Sequence, residues 1–123
     1  MVSFEGFAAS GALPIYLQMV LHIKRGVIAG SIEDGDELPS RRVLSALLGV
    51  NPNTVQKAYR ILEDEELIQS RSGAKSYMLL DGEKTERIRA ELTEHDARAA
   101  VTAMKQMGLS KDEAVALIEK YWG

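Results

Sequence analysis

Apolar residues recur along this 123-residue chain with a period that changes several times, and the changes divide it into elements. Tyr16, Val20, Ile23 and Val27 fall at helical spacing behind Pro14, whose missing N–H costs nothing in a first turn, and Gly30 supplies a stop. Leu44, Leu47 and Leu48 make a short stripe expected to be buried, with Ser40 in the N-cap position and Gly49 at the end. Asn51 can cap the next helix and Pro52 opens it. In that helix Val55, Ala58, Tyr59 and Leu62 stand at i, i+3, i+4 and i+7 and form one apolar stripe. Two helices joined by so short a glycine-containing turn predict a helix-turn-helix.

After Glu66 the period shortens. Leu67 and Ile68, then Tyr77 to Leu80, predict two short strands around a glycine-containing turn, and a hairpin directly behind the second helix has the place of a wing. Near the start, Val2 and Phe4 alternate with Ser3 and Glu5 as a short edge strand would. From Asp81 the spacing is helical again. Ile88, Leu92, Ala99, Ala103 and Met107 lie on one side of a long helix, and the sequence leaves open whether it is continuous or broken or bent near 94–96. Ser110 and Glu113 form a capping box for a last helix, in which Ala114, Leu117, Ile118 and Tyr121 make an apolar stripe with Val115 and Trp122 beside it. Two helices alone bury such a stripe poorly, so it must pack on the first domain or on a second copy of the chain, and the second copy, giving a homodimer, is the reading favoured.

The helix that starts at Pro52 has a second stripe. Asn53, Gln56, Lys57 and Arg60 repeat the helical spacing about half a turn from the apolar face, and the acids begin only afterwards, at 63–66. Such side chains read base edges and neutralise phosphates. The net charge of −3 argues mildly against nucleic acid, but the charge is unevenly spread. Acids crowd 31–39, read as a solvated loop turning at Gly35, whereas residues 40–62 hold Arg41, Arg42, Lys57 and Arg60 and no acid. Arg41 and Arg42 stand at a helix N-terminus, where a cation opposes the helix dipole, which points to phosphate or base contact. Arg71 and Lys75 flank the tip of the hairpin.

Composition excludes more than it assigns. With 46% hydrophobic and 27% charged residues the chain is an ordinary globular one, and without cysteine it has neither disulfides nor thiolate metal sites, which suits the cytoplasm. No apolar run reaches membrane-spanning length and no signal peptide is legible. His22 and His95 have no partners at ligand spacing, and no nucleophile–base pair, phosphate loop or carboxylate pair stands out. Neither an enzyme, a bound metal nor a cofactor is expected. The tail shows no pocket of convergent polar groups, so a small-molecule effector is left unassigned.

Residues 14 to about 80 resemble the winged helix-turn-helix domain of GntR-type transcriptional regulators. The resemblance rests on separated elements in one order and spacing: Pro14-Ile15-Tyr16, Gly35-Asp36, Leu38-Pro39-Ser40, Arg42, Leu44, Leu48-Gly49-Val50, Asn53-Thr54-Val55, Ala58, Leu62-Glu63 and Leu67-Ile68. The tail of about forty residues is similar to the two-helix tail of the YtrA subfamily. The resemblance implies phosphate and base contacts from Ser40 and Arg42, reading by Asn53, Thr54, Gln56, Lys57 and Arg60, and a minor-groove contact at Gly73. The chain departs from the family where Arg41 replaces the usual acid, where Pro52 replaces a frequent arginine, and where the wing reads Ser72-Gly73-Ala74-Lys75-Ser76 with one glycine fewer.

The fold class expected is α+β, mostly α: a winged helix-turn-helix DNA-binding domain over 1–80 followed by a two-helix C-terminal dimerisation tail over 81–123. The function expected is a DNA-binding transcriptional regulator, a repressor, acting as a homodimer on a palindromic operator in double-stranded DNA. Its DNA-contacting residues are Ser40, Arg41, Arg42, Asn53, Thr54, Gln56, Lys57, Arg60, Gly73 and Lys75, and its dimer face is Ile88, Leu92, Ala99, Ala103, Met107, Leu117, Ile118, Tyr121 and Trp122. The rival reading is a winged-helix protein-interaction module without sequence-specific DNA binding.

Overall fold

The structure is a computed structural model and describes residues 1–71 and 75–123. Its elements run in the order α1 (Ile15–Ala29), β1 (Glu37–Leu38), α2 (Arg41–Leu48), α3 (Pro52–Asp64), β2 (Ile68–Ser70), β3 (Ser76–Met78), α4 (Gly82–Gln106) and α5 (Lys111–Trp122). They divide into two compact units, Met1–Ile88 and Arg89–Gly123.

In the first unit the local signals act as the chain spells them. Gly30 ends α1 in the left-handed region at φ 84°. The Ser40 hydroxyl accepts the Val43 N–H at 3.2 Å, and Asn51 accepts the Asn53 N–H at 2.8 Å with Pro52 in the first turn. The apolar stripe of α3 is fully covered: Val55, Ala58 and Leu62 have no exposed surface and Tyr59 has 1%. Against it pack α1, through Met19, Val20, Ile23 and Val27, and α2, through Leu44. Only Leu44 of the α2 stripe is buried, whereas Leu48 is half-buried and Leu47 is 69% exposed. An eight-residue helix lying on α3 covers one side of itself, and Leu47 falls outside that side.

The sheet has three strands in the order β1-β3-β2, all antiparallel. The wing hairpin pairs Ile68 with Met78 and Ser70 with Ser76. The third strand lies inside the stretch expected to be a solvated acidic loop, where Glu37 and Leu38 pair with Tyr77 and Ser76. The acids ahead of it build the turn. Asp36 accepts the Glu33 N–H at 2.9 Å, Asp34 accepts the Leu80 N–H at 2.8 Å, and Gly35 donates to the Met78 carbonyl at 2.9 Å. Val2 and Phe4 are buried as their alternation implies, but the segment is not a strand. It is held by the Val2 N–H on the Glu37 carbonyl, and by His22, which stacks on Phe4 and bonds the Ser3 carbonyl at 2.9 Å.

The first turns of α4 belong to the first unit. Lys84 donates to the carbonyl of Glu66 at 2.7 Å, Arg87 to that of Glu65 at 3.2 Å, and Ile88 is 1% exposed. The helix runs through 94–96 without a break: α4 is one helix of 25 residues with no proline or glycine inside it after its first residue. In the second unit the capping box of Ser110 and Glu113 forms in both directions, and those hydrogen bonds hold the Glu113 carboxyl below its ordinary pKa. No side chain of α5 is buried.

Candidate nucleic-acid interface

The helix-turn-helix presents the polar stripe as its period requires. Asn53, Gln56, Lys57 and Arg60 are exposed on α3, Thr54 is half-buried, and the opposite face is core. The stripe is therefore held on a helix whose back cannot rotate without exposing Tyr59 and Leu62. The Lys57 ammonium lies 5.5 Å from the centre of the Tyr16 ring on α1, which limits where its flexible stem points. Arg42 is exposed at the start of α2, while the Ser40 hydroxyl is already engaged as the cap.

The wing supplies further cations. The Arg71 N–H closes the hairpin on the Lys75 carbonyl at 2.8 Å, and the Arg71 guanidinium lies 4.9 Å from the Tyr77 ring centre. Lys75 is exposed. Gly73, expected at the wing tip, lies outside the described residues.

Arg41 is placed differently from the other cations. Its Nη2 donates to Glu63 Oε1 at 2.8 Å, and its guanidinium sits 5.1 Å from the centre of the Tyr59 ring. Glu63 also accepts the Ser70 hydroxyl at 3.4 Å. The cation at the α2 N-terminus thus has an acid and an aromatic ring within the chain as partners. The acid run at 63–66 is in part structural: Glu63 holds Arg41 and Glu65 holds Lys24. Only the three-dimensional pairing reveals Glu63 as a component of this surface. The sequence signal available was the acid run following directly on the basic stripe.

The residues expected on a dimer face separate into two sets. Ile88 and Leu92 are 1% and 5% exposed, so the single chain already covers them. Met107, Leu117, Ile118, Tyr121 and Trp122 are 69%, 41%, 45%, 76% and 86% exposed, and Ala99 and Ala103 are exposed too. Within the second unit a concavity of about 470 Å³ is lined by Ala100, Val101, Met104, Leu109, Val115 and Ile118. Among the described residues no cluster of His, Asp and Glu could hold a metal ion, and no helix is long and apolar enough to cross a membrane.

Comparison with known proteins agrees with this geometry. Residues 15–77 match the family described as "Bacterial regulatory proteins, gntR family". The chain is 31% identical over 108 residues to the HTH-type transcriptional regulator YhcF of Bacillus subtilis, covering 88% of this chain and 89% of that one. It is 38% identical over 80 residues to the HTH-type transcriptional repressor YtrA of the same organism, covering 65% and 61%. A GntR family transcriptional regulator from Listeria monocytogenes has a similar structure, with TM-score 0.77, 31% identity and coverage of 91% and 98%. These relatives are transcriptional regulators and not enzymes. With the matched helix-turn-helix, the wing and the exposed basic stripe of α3 all in place, the chain belongs to the gntR family of bacterial regulatory proteins, YtrA subfamily, as a DNA-binding transcriptional regulator.

Proposed function

We propose that the chain is a sequence-specific repressor that acts in the cytoplasm as a homodimer on a palindromic operator. In this reading residues 1–80 are the DNA-binding domain and 81–123 the dimerisation tail. The observation that carries specific recognition is the two-faced α3. Its buried stripe fixes the helix, and its exposed stripe offers Asn53, Gln56, Lys57 and Arg60 to a major groove. Arg42, Thr54 and Lys75 add contacts at the margins, and the Ser40 cap orients the start of α2.

The dimer is supported by α5, an amphipathic helix without one buried side chain in the single chain. Exposed apolar surface on that scale is characteristic of an interface. Pairing also offsets a modest local charge, since each copy brings few free cations and the phosphate contribution scales with their number. The repressor role is supported by the likeness to the YtrA repressor.

The test is binding to a duplex that the wild-type chain itself enriches from random DNA. Arg42→Ala and Lys57→Ala should each weaken binding about tenfold or more, the size of one lost charged contact. Their thermal unfolding should stay near wild type. Unchanged affinity in both variants would sink this reading of the interface.

A further inference from the structure

Arg41 and Glu63 meet where the parts of the DNA-binding surface join. Arg41 opens α2 and Glu63 lies in the last turn of α3. The Glu63 carboxylate also accepts from Ser70, the last residue of β2, from which the wing departs. The ring beneath the guanidinium, Tyr59, donates its hydroxyl to the carbonyl of Pro39, just after β1. One ion pair thus ties α2, α3 and the wing together, and the ring under it extends the tie to the end of β1.

The pair has the features of a built contact. Arg41 and Glu63 are 28% and 38% exposed, so solvent screens them less than a surface pair. The Arg41 Nε is buried with no hydrogen-bond partner. A guanidinium that faces a helix dipole unfavourably and leaves one N–H unsatisfied is held there by Glu63 and Tyr59. For Arg41 to reach a phosphate it would have to leave both, and the Glu63 carboxylate would remain uncompensated beside the DNA. While the pair is closed, it adds no net charge to the phosphate attraction.

We infer that the Arg41–Glu63 pair is a clamp that sets the relative placement of α2, α3 and the wing, so that both are positioning residues for operator selectivity and neither contacts DNA. The inference rests on the proposed sequence-specific binding. Base readout needs side chains held within about half an ångström of their productive geometry, whereas phosphate attraction does not. Breaking the clamp should therefore weaken selective binding more than non-selective binding.

The experiment measures affinity for the wild-type-enriched duplex and for random duplex across a salt series. It uses the full chain as wild type, Arg41→Ala, Glu63→Gln and the charge-swapped Arg41→Glu/Glu63→Arg double variant. Each single variant should lose about tenfold more affinity for the enriched duplex than for random duplex, the scale of a coupled pair, with the salt slope unchanged. The charge-swapped chain should recover most of the loss, and it also carries the test if a single variant unfolds. A fall in random-duplex affinity with a salt slope lowered by about one in Arg41→Ala would assign Arg41 to a phosphate and overturn the clamp. Undiminished selectivity in the single variants would overturn it equally. A wild-type chain that prefers no sequence would instead overturn the proposed specific binding, and the clamp with it.

Discussion

The ammonium of Lys24, on a side chain only 3% exposed in α1, lies 2.9 Å from the carboxylate of Glu65 at the C-terminal end of α3. A buried cation at a helix C-terminus is favoured by the dipole, and it locks the reading helix to the helix behind it. Removing the carboxylate takes one partner from a desolvated charge, while removing the cation leaves an acid that water still reaches. Glu65→Ala should cost about 1–3 kcal/mol of stability, and Lys24→Met should cost less. Denaturant unfolding of the two variants gives the order, and the reverse order would contradict this account of the pair.

Tyr59 joins α3 to the segment before α2 through its bond to the Pro39 carbonyl. Burial pushes its phenol well above the ordinary value, with the Arg41 charge opposing in part. The folded state therefore holds this proton more tightly than the unfolded state. The stability it contributes is complete below about pH 10, the ordinary phenol value, and is lost as pH rises above it. Tyr59→Phe should lose about 1–2 kcal/mol at neutral pH. The gap between wild type and variant should close in alkaline solution, as read by denaturation at stepped pH. A gap that stays constant above about pH 10 would contradict it.

Glu66 follows α3 with φ 61°, the one non-glycine residue at positive φ among those described. The conformation carries the chain from helix into wing, where the Leu67 N–H reaches back to the Leu62 carbonyl at 2.9 Å. A side chain there is strained, and glycine is not. Glu66→Gly should raise stability by up to about 1 kcal/mol, less whatever the freer unfolded chain takes back. A clear loss in thermal unfolding would show that the glutamate contributes more than its backbone costs.

The tail makes a separate prediction. Leu117→Glu/Ile118→Glu places two charges on the exposed apolar face of α5 and touches no side chain buried in the single chain. Sedimentation should show a dimeric wild type and a monomeric variant, with operator affinity falling at least tenfold as one half-site is lost. A variant that still sediments as a dimer would move the interface elsewhere. Substitution is the cleaner test than truncation after Leu80, because Ile88 is core.

What was legible in the sequence was local. Ser40, Asn51 with Pro52, and the Ser110–Glu113 box act within three residues of themselves, and each caps the helix its spacing marks. The buried stripe of α3 follows from period alone. What escaped was contact between segments far apart. β1 is two residues long and exists only because Tyr77 and Ser76 pair with it, so its acidic surroundings read as a loop. The pairing of Arg41 with Glu63 was not legible because the two residues are 22 positions apart. Leu47 read as buried because a helix period does not say how far the neighbouring helix extends. The continuity of α4 was left open by the sequence, since polar residues interrupt its stripe without interrupting its backbone.

The most direct test of the central claim is selection of bound sequences from random duplex DNA by the full chain. A dimeric reader that presents α3 twice should enrich one short motif in two inverted copies, their centres about one helical turn apart or a multiple of it. An enriched pool with no shared motif, or a single unrepeated one, would contradict the account of a paired, sequence-specific reading surface.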